Sequence, residues 1–214
     1  MRILVTAGPT RERLDDVRFI SNFSTGKMGY EIAKAAAARG HRVTLISGPT
    51  HLAPPKGARF IGVESALEMK KAVDAHFSNT DCLFMASAVS DWRPQRKVAG
   101  KTKKAKGESA TSLKLLRNPD IVGRAGRQKA RKIVVGFALE AGPLISNAKQ
   151  KLKDKNLDLI VANRLGRRSP FGEGPTSAVI IDRLGKTQRI SNVAKRTVAV
   201  TLLGKAEGLW EERR

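Results

Sequence analysis

Ser21-Asn22-Phe23-Ser24-Thr25-Gly26-Lys27-Met28-Gly29 decides how this chain is read, because it joins an apolar run to an alanine-rich helical pattern. Upstream, Ile3-Leu4-Val5-Thr6-Ala7 within Arg2–Ala7 is the short continuous apolar run expected of a strand buried in a parallel sheet. Gly8-Pro9-Thr10 breaks it, and a polar loop with Arg11, Glu12, Arg13, Asp15, Asp16 and Arg18 ends at Phe19-Ile20. Downstream, Met28, Ile32, Ala35 and Ala36 share one face of a helix from about Thr25 to Arg39, with Gly40 at its C-terminal cap. Small and hydroxylated residues at that helix entrance leave backbone N–H groups free to face an anion. Asn22 adds a neutral amide, which polarises a carbonyl without bringing a charge, and Lys27 adds a cation. Taken alone, the stretch is equally an ordinary N-cap with a packed glycine.

The rest of the chain repeats the strand-then-helix rhythm. Arg42–Ser47 reads as a second strand and Arg59–Val63 as a third. Ser65-Ala66-Leu67-Glu68 is a capping box opening a helix expected to bury Leu67, Met69, Ala72 and Val73. Asp81–Ala88 is a fourth strand. These spacings predict a doubly wound, Rossmann-like, mostly parallel α/β sheet with right-handed crossovers. Val89-Ser90-Asp91-Trp92 then sits just past a strand's carboxyl end, where such folds place their ligands. Arg93, Arg96, Lys97, Lys101, Lys103, Lys104 and Lys106 follow in a segment without hydrophobic period, read as a mobile basic flap over 93–106. Alternation returns at Ser112–Leu116, and Asn118-Pro119-Asp120-Ile121 opens a short helix with proline in its first turn. Ile133–Phe137 is another strand, and a helix from about Leu144 to Lys155 sets Lys151 and Lys155 on one face. Leu157–Ala162 is the next strand, Ser177–Ile181 and Gln188–Ile190 form a late hairpin, and a helix from Asn192 to about Glu212 closes the chain. No repeat or linker divides it, so residues 1–214 are expected to form one domain.

Composition narrows the function. Forty-one Lys and Arg against nineteen Asp and Glu give a formal net charge of +22, which attracts polyanions: nucleotides, phosphorylated metabolites or nucleic acid. With 41% hydrophobic residues the chain builds a core rather than staying disordered. No apolar run is long enough to span a membrane, no signal-peptide shape opens the chain, and the expected compartment is cytoplasmic. The single cysteine, Cys82, lies in an apolar run, so neither an intrachain disulfide nor a cysteine metal site is expected.

Two nucleotide motifs fail against the opening stretch. A Walker A loop requires glycine where Ser21 stands and Ser or Thr where Met28 stands. A dinucleotide fingerprint requires three spaced glycines after the first strand, and only Gly8 is there. His41, His51 and His76 lie in a turn, a loop and a helix end, with no serine elbow for a hydrolase triad. What remains is a strand-end site with Asn22, Lys27, Asp91, Lys101, the Asn-Pro-Asp-Ile helix start, Phe137 and the Lys151/Lys155 pair. An aromatic flanks a base or ribose, lysines and helix N-termini hold phosphates, and a carboxylate near phosphates interacts with Mg²⁺. Such a set suits chemistry at a nucleotide's phosphate, where positioning and charge neutralisation contribute most of the catalysis.

In these blocks the chain resembles phosphopantothenoylcysteine synthetase, the synthetase half of the bifunctional flavoprotein of coenzyme A biosynthesis. The matching blocks are Thr6-Ala7-Gly8-Pro9-Thr10-Arg11, Ser21–Gly29 and Ala88-Val89-Ser90-Asp91-Trp92-Arg93. They continue with Lys101-Thr102-Lys103-Lys104, Asn118–Ile121, Gly136-Phe137-Ala138-Leu139-Glu140, and Lys151 through Lys155-Asn156-Leu157-Asp158. No flavin-dependent decarboxylase half precedes them, so the resemblance implies a stand-alone synthetase. It implies that the carboxylate of 4′-phosphopantothenate attacks the α-phosphate of CTP, giving an acyl-cytidylate, which cysteine's amine then opens. Asn22 matches the donor to the acyl oxygen, and Lys101 matches the flap lysine that reaches the phosphates and carboxylate. Met85, Ala86, Ser87, Asp91, Asn118, Pro119, Asp120, Ile121, Phe137, Lys151 and Lys155 fall on nucleotide-binding positions. Mg²⁺ is implied, its ligands are not, and a homodimer is implied with the late hairpin as contact. The chain departs from the family pattern at Thr25, where serine is usual, and at Ala141, where threonine is usual. The loop 171–176 also lacks the usual Asp-x-Asn.

Two other classes compete. A short-chain NAD(P)-dependent oxidoreductase requires a Tyr-x-x-x-Lys pair; Tyr30 and Lys34 supply it on paper, but on the first helix, away from any strand end. A nucleic-acid module requires aromatics interleaved with the basic residues, and only Trp92 is near. Nucleic acid is therefore not required by this reading. The +22 charge is not required by the synthetase chemistry either.

Overall fold

The computed structural model describes residues 1–103, 109–165, 172 and 174–214. In chain order its first half contains β1 (Arg2–Ala7), β2 (Arg11–Arg13), β3 (Phe19–Ser21), α1 (Lys27–Ala38), β4 (Arg42–Ser47), β5 (Ala58–Gly62), α2 (Ala66–Phe77), β6 (Cys82–Met85) and β7 (Trp92–Pro94). The second half contains β8 (Leu115–Arg117), α3 (Ile121–Arg127), β9 (Ile133–Glu140), α4 (Leu144–Asp154), β10 (Leu159–Arg164), β11 (Thr176–Asp182), β12 (Thr187–Val193) and α5 (Lys195–Glu211).

Eight strands form one sheet in the order β12-β11-β10-β9-β6-β1-β4-β5. From β5 to β10 every neighbour is parallel, while β11 and β12 add antiparallel at one edge. Numbered by appearance, the parallel strands run 3-2-1-4-5-6, an order of the doubly wound class that the sequence predicts. The direction of winding reverses between β1 and β6, and the loops leaving their carboxyl ends part there.

Helices cover both faces, which is why the strands read as continuous apolar runs. On one face Ile3, Val5, Phe84 and Val135 pack with Ile32 and Ala36 of α1 and Val198 and Leu202 of α5. On the other, Leu4, Ile46, Leu83 and Val134 pack with Met69 and Val73 of α2, Ile121 of α3 and Leu152 of α4. Phe84 is fully buried, and truncating a side chain of that size to alanine costs about 3–5 kcal/mol. Gly29 lets α1 approach β1, since a Cβ there would stand 2.6 Å from the Ala7 Cβ. Gly26, at φ 81°, is the N-cap of α1, in the left-handed region that glycine favours.

Several expectations change in detail. The polar loop after β1 contains a short antiparallel ribbon, β2 with β3. The alternation near 112–116 resolves into β8, which pairs with β7 in a second ribbon. Neither ribbon is long enough to declare itself by periodicity. In α2 the buried set is Ala66, Met69, Val73 and Phe77, while Leu67 is exposed. With Ser65 as cap, the spacing 66-69-73-77 faces the sheet and Leu67 points one helical step away. The capping box is half formed: Ser65 accepts from Glu68 N, but the Glu68 carboxylate accepts from Glu64 N. α1 has no side-chain cap. In α3 the cap is Asp120, accepting from Gly123 N at 3.1 Å, so Pro119 lies before the helix and not in its first turn.

Candidate functional site

The loops leaving β1 and β6 are stitched together at the point where the sheet order reverses. Ala88 N donates to Gly8 O at 2.9 Å and Thr10 N donates to Ala88 O at 3.2 Å. Ser87 N donates to Thr6 Oγ1 at 3.2 Å, the two hydroxyls lie 2.8 Å apart, and Ser90 N donates to Thr10 Oγ1 at 3.0 Å. Buried β1 and β6 thereby fix the loop carrying Ala86, Ser87 and Asp91.

A cavity of about 370 Å³ opens there, at the carboxyl ends of β6, β9 and β10. Asn22, Ser24–Met28 and Ala86–Val89 line one side, with Asp91 beside them. Phe137–Leu139 form the β9 floor, Lys151 stands over it, and Asn163, Thr176 and Lys195 close the far wall. Among the described residues, Asp91 is the one carboxylate in this lining, against Lys27, Lys151 and Lys195. Phosphates suit that balance, because cations and free N–H groups at strand ends neutralise them.

Asn22 is oriented by the stitched loops. Its Nδ2 donates to Ala88 O at 3.0 Å. A carboxamide nitrogen has two N–H donors, so one holds the orientation and the other is left for a ligand carbonyl. Lys151 Nζ lies 2.6 Å from Glu140 Oε1, and Asn147 Nδ2 donates to Glu140 Oε2 at 2.9 Å. Burial pushes the Glu140 carboxyl up, but the hydrogen bonds from Lys151 and Asn147 outweigh it and hold the group below its usual range. Lys27 Nζ is 3.8 Å from Glu31.

The cavity thus gathers Asn22, Lys27, Ala86, Ser87, Asp91, Phe137 and Lys151 of the residues singled out in the sequence. Six others lie elsewhere, and Lys101 with them. Met85 is a buried core residue of β6, beside Gly136 of β9, and Thr6 Oγ1 donates to its Sδ at 3.3 Å. Ile121 is a core residue of α3. Asn118 is a clamp: its N donates to Asp91 O and its Nδ2 to Ser90 O, both at 2.8 Å, while Arg93 Nη1 donates to its Oδ1 at 3.1 Å. Pro119 follows the clamp, and Asp120 joins α3 to α4 by accepting from Lys155 Nζ at 2.9 Å. Burial raises the Asp120 carboxyl, but Lys155 and Gly123 N together hold it below its usual range. Lys155, the C-cap of α4, is therefore tied to α3 and does not line the cavity.

Lys101 is exposed and outside the lining. Its neighbours are anchored: Val98 N donates to Leu14 O, Gly100 N to Asp16 Oδ2 at 2.7 Å, and Thr102 N to Asp15 Oδ2 at 3.1 Å. Lys104 and Lys106 lie outside the described residues, as does most of the first half of the loop 171–176.

The sequence reading missed the far wall. Lys195 is 7% exposed and donates to Gly172 O. A lysine in the first turn of a helix opposes the macrodipole, and that anomaly was the available signal. Asn163 ends an apolar strand, another legible cue; Thr176 carried none.

Magnesium fits this donor set in one way only. Among the described residues no three carboxylate, histidine or cysteine groups could hold a metal together. One carboxylate, Asp91, suits a Mg²⁺ ion held mainly by ligand phosphates and water. No described helix is long and apolar enough to cross a membrane.

The family model described as the DNA/pantothenate metabolism flavoprotein C-terminal domain matches residues 1–209. The chain is 41% identical over 212 residues to the coenzyme A biosynthesis bifunctional protein CoaBC of Bacillus subtilis, covering 98% of this chain and 52% of that protein. It is 46% identical over 163 residues to the protein of the same name from Vibrio cholerae, covering 76% of this chain and 41% of that protein. The chain spans about half the length of these curated relatives. The solved structure of the C-terminal domain of CoaBC superposes with a TM-score of 0.84 at 36% identity, covering 99% of this chain and 96% of that one.

Proposed function

The chain belongs to the DNA/pantothenate metabolism flavoprotein C-terminal domain family, and on that premise we propose that it is a phosphopantothenate–cysteine ligase of coenzyme A biosynthesis. The observation that carries the reading is convergence. Asn22, Ala86, Ser87, Asp91, Phe137 and Lys151 come from four separate stretches and line one cavity where the winding reverses.

In the proposed reaction the carboxylate of 4′-phosphopantothenate attacks the α-phosphorus of CTP, and pyrophosphate leaves. Lys27, Lys151 and Lys195 give the cavity walls the positive charge that draws in the triphosphate. The resulting acyl-cytidylate is opened by cysteine: a C–N bond forms, the C–O bond to CMP breaks, and the nitrogen releases a proton. Negative charge then grows on the acyl oxygen, and the second N–H of Asn22 is the preplaced neutral donor for it. Asp91 would hold Mg²⁺ arriving with the nucleotide, which supplies charge neutralisation at the phosphates. Asn118 acts one step back by fixing Ser90 and Asp91. Lys101 belongs to the proposal as a residue the arm delivers over the cavity when ligand is bound.

A homodimer is part of the same proposal. The hairpin's outer strand, β12, exposes mainly polar side chains. Exposed apolar side chains lie both on the two ribbons, at Phe19, Trp92, Leu115 and Leu116, and in the hairpin turn, at Leu184. Both the ribbons and the hairpin therefore offer apolar surface to such a contact. Sedimentation at micromolar concentration tests it, and a monomer there would refute it. The chemistry is tested by pyrophosphate release with phosphopantothenate and cysteine, comparing CTP with ATP. Release with CTP is expected; none with either nucleotide would remove the ligase reading, and preference for ATP would overturn the choice of CTP.

A further inference from the structure

At the opposite end of the sheet, the amino-terminal strand ends hold a second polar basin. Parallel register places Arg2 beside Arg42 across β1 and β4, and Arg59 beside Thr44 across β4 and β5. Residues in register share a face, as do residues two apart on one strand, so Arg2, Arg42 and Arg59 rise from the same face of three neighbouring strands. That is the face α2 covers with Met69, Val73 and Phe77. α2 ends at Phe77, short of the strand ends, and the uncovered stretch is a basin of about 590 Å³. His76 and Asn79 complete its rim, and among the described residues no carboxylate is in its lining.

The three guanidinium groups are undercompensated. Like charges on adjacent strands repel. Arg2 has a counter-charge in Asp81, at 2.7 Å. Arg42 and Arg59 form no ion pair or side-chain hydrogen bond among the described residues. The end of α2 makes no claim on them, because Thr80 N donates to Phe77 O and Thr80 Oγ1 to His76 O. Lys132 continues the cationic band, with its Nζ 5.6 Å from the centre of the Phe77 ring.

We infer that this basin binds a small anion bearing two or more phosphate groups, at a site separate from the candidate active site. Three guanidinium stems spread over two strand spacings, about 10 Å, which is more than one phosphate covers and suits a short chain of them. Guanidinium forks match phosphate oxygens in bidentate geometry, which makes arginine the apt residue here. The six residues of β1 separate basin and cavity by about 20 Å, so one small ligand does not fill both.

Calorimetric titration of the full chain with inorganic tripolyphosphate tests the site. Two binding events per chain are expected in the wild type. Arg42→Ala/Arg59→Ala should remove one of them or weaken it at least tenfold, with Arg42→Gln/Arg59→Gln behaving alike and both variants melting like the wild type. Unchanged stoichiometry and affinity in both double variants would overturn the site. Orthophosphate binding there as tightly as tripolyphosphate would overturn the requirement for several phosphates. A single-stranded RNA oligonucleotide forms the last arm: RNA binding lost in the double variants, with no tripolyphosphate event to lose, would give the basin to nucleic acid instead. Lys151→Ala should affect only the other event, so failure of the proposed active site is read separately from failure of the basin.

Discussion

The loop after β6 and the arm after β7 are nearly consecutive in sequence, yet different forces hold them. The loop is stitched to β1 through Gly8, Thr6 and Thr10, and both β1 and β6 stand in the core, with Val5 and Phe84 fully buried. Beyond Pro94, which pairs in the β7–β8 ribbon, the described arm is held by Val98 N donating to Leu14 O and chiefly by two carboxylates. Asp15 is fully buried and accepts from Val17 N, Arg18 N, the Arg18 guanidinium and Thr102 N. Asp16 accepts from Gly100 N and lies 2.5 Å from Lys97 Nζ. Hydrophobic burial fixes the loop at any ionic strength, whereas charge fixes the arm and so makes it sensitive to salt and acid. In the ligase reading proposed above, the two would serve as a rigid floor and a releasable cover.

The largest effect is expected on the floor. Asn22→Asp replaces a neutral donor by a charge beside a developing oxyanion, so turnover should fall by about 10²–10³-fold, or roughly 3–4 kcal/mol of barrier. CTP binding should stay nearly intact. Quench-flow detection of product and pyrophosphate checks this, and normal turnover would end the donor role.

On the arm, Lys101→Gln should lower turnover at least tenfold while Lys103→Gln changes it by less than about threefold, because only one lysine is proposed to reach the reacting groups. Steady-state rates of the two variants decide, and equal losses would make the arm a diffuse electrostatic lure.

A smaller contrast separates the two lysines of α4. The sequence treats them alike, but Lys151 lines the cavity and Lys155 ties α4 to α3. Lys151→Ala should therefore weaken CTP binding by about tenfold in a salt-dependent way, the scale of one charge-assisted hydrogen bond. Lys155→Ala should weaken it less, with little salt dependence. Calorimetry at two ionic strengths would show it, and equal salt-dependent losses would place both lysines on the nucleotide.

The smallest effect is on the tether itself. Hydrogen bonds from Arg18 and from backbone N–H groups hold the Asp15 carboxyl well below its usual range, and Lys97 does the same for Asp16. Their folded pKa values lie below the unfolded ones, so the tether is complete above about pH 4, the unfolded carboxylate value, and is lost as pH falls through the folded values. Asp15→Asn should reproduce that loss at neutral pH. Faster amide exchange at Gly100 and Thr102, with no change at Ala88 and Ser90, is the expected signature.

Legibility followed the range of the interaction. Strands at 2–7 and 42–47 and the helices after Gly26 and Ser65 were readable because their burial repeats at short spacing. Asn22, Asp91, Phe137 and Lys151 were readable as chemistry at strand ends. Asn118–Ile121 were readable as a motif but not as a clamp, since the clamp depends on where Ser90 and Asp91 fall in space. Asp15 looked like one charge among six in a polar loop; only its contact with Thr102, 87 positions away, makes it an anchor.

By itself the sequence determined the doubly wound α/β class, the two-sided burial of its strands and the chemical types gathered at their carboxyl ends. Tertiary structure alone decided that Lys155 faces Asp120 while Lys151 faces the cavity. It also decided that Lys195, Asn163 and Thr176 form the far wall, and that Arg2, Arg42 and Arg59 share one basin. The physical reason is that periodicity reports whether a side chain is buried, averaged along an element. Which polar partner it meets is set by strand order and register, and these depend on the packing of the whole sheet.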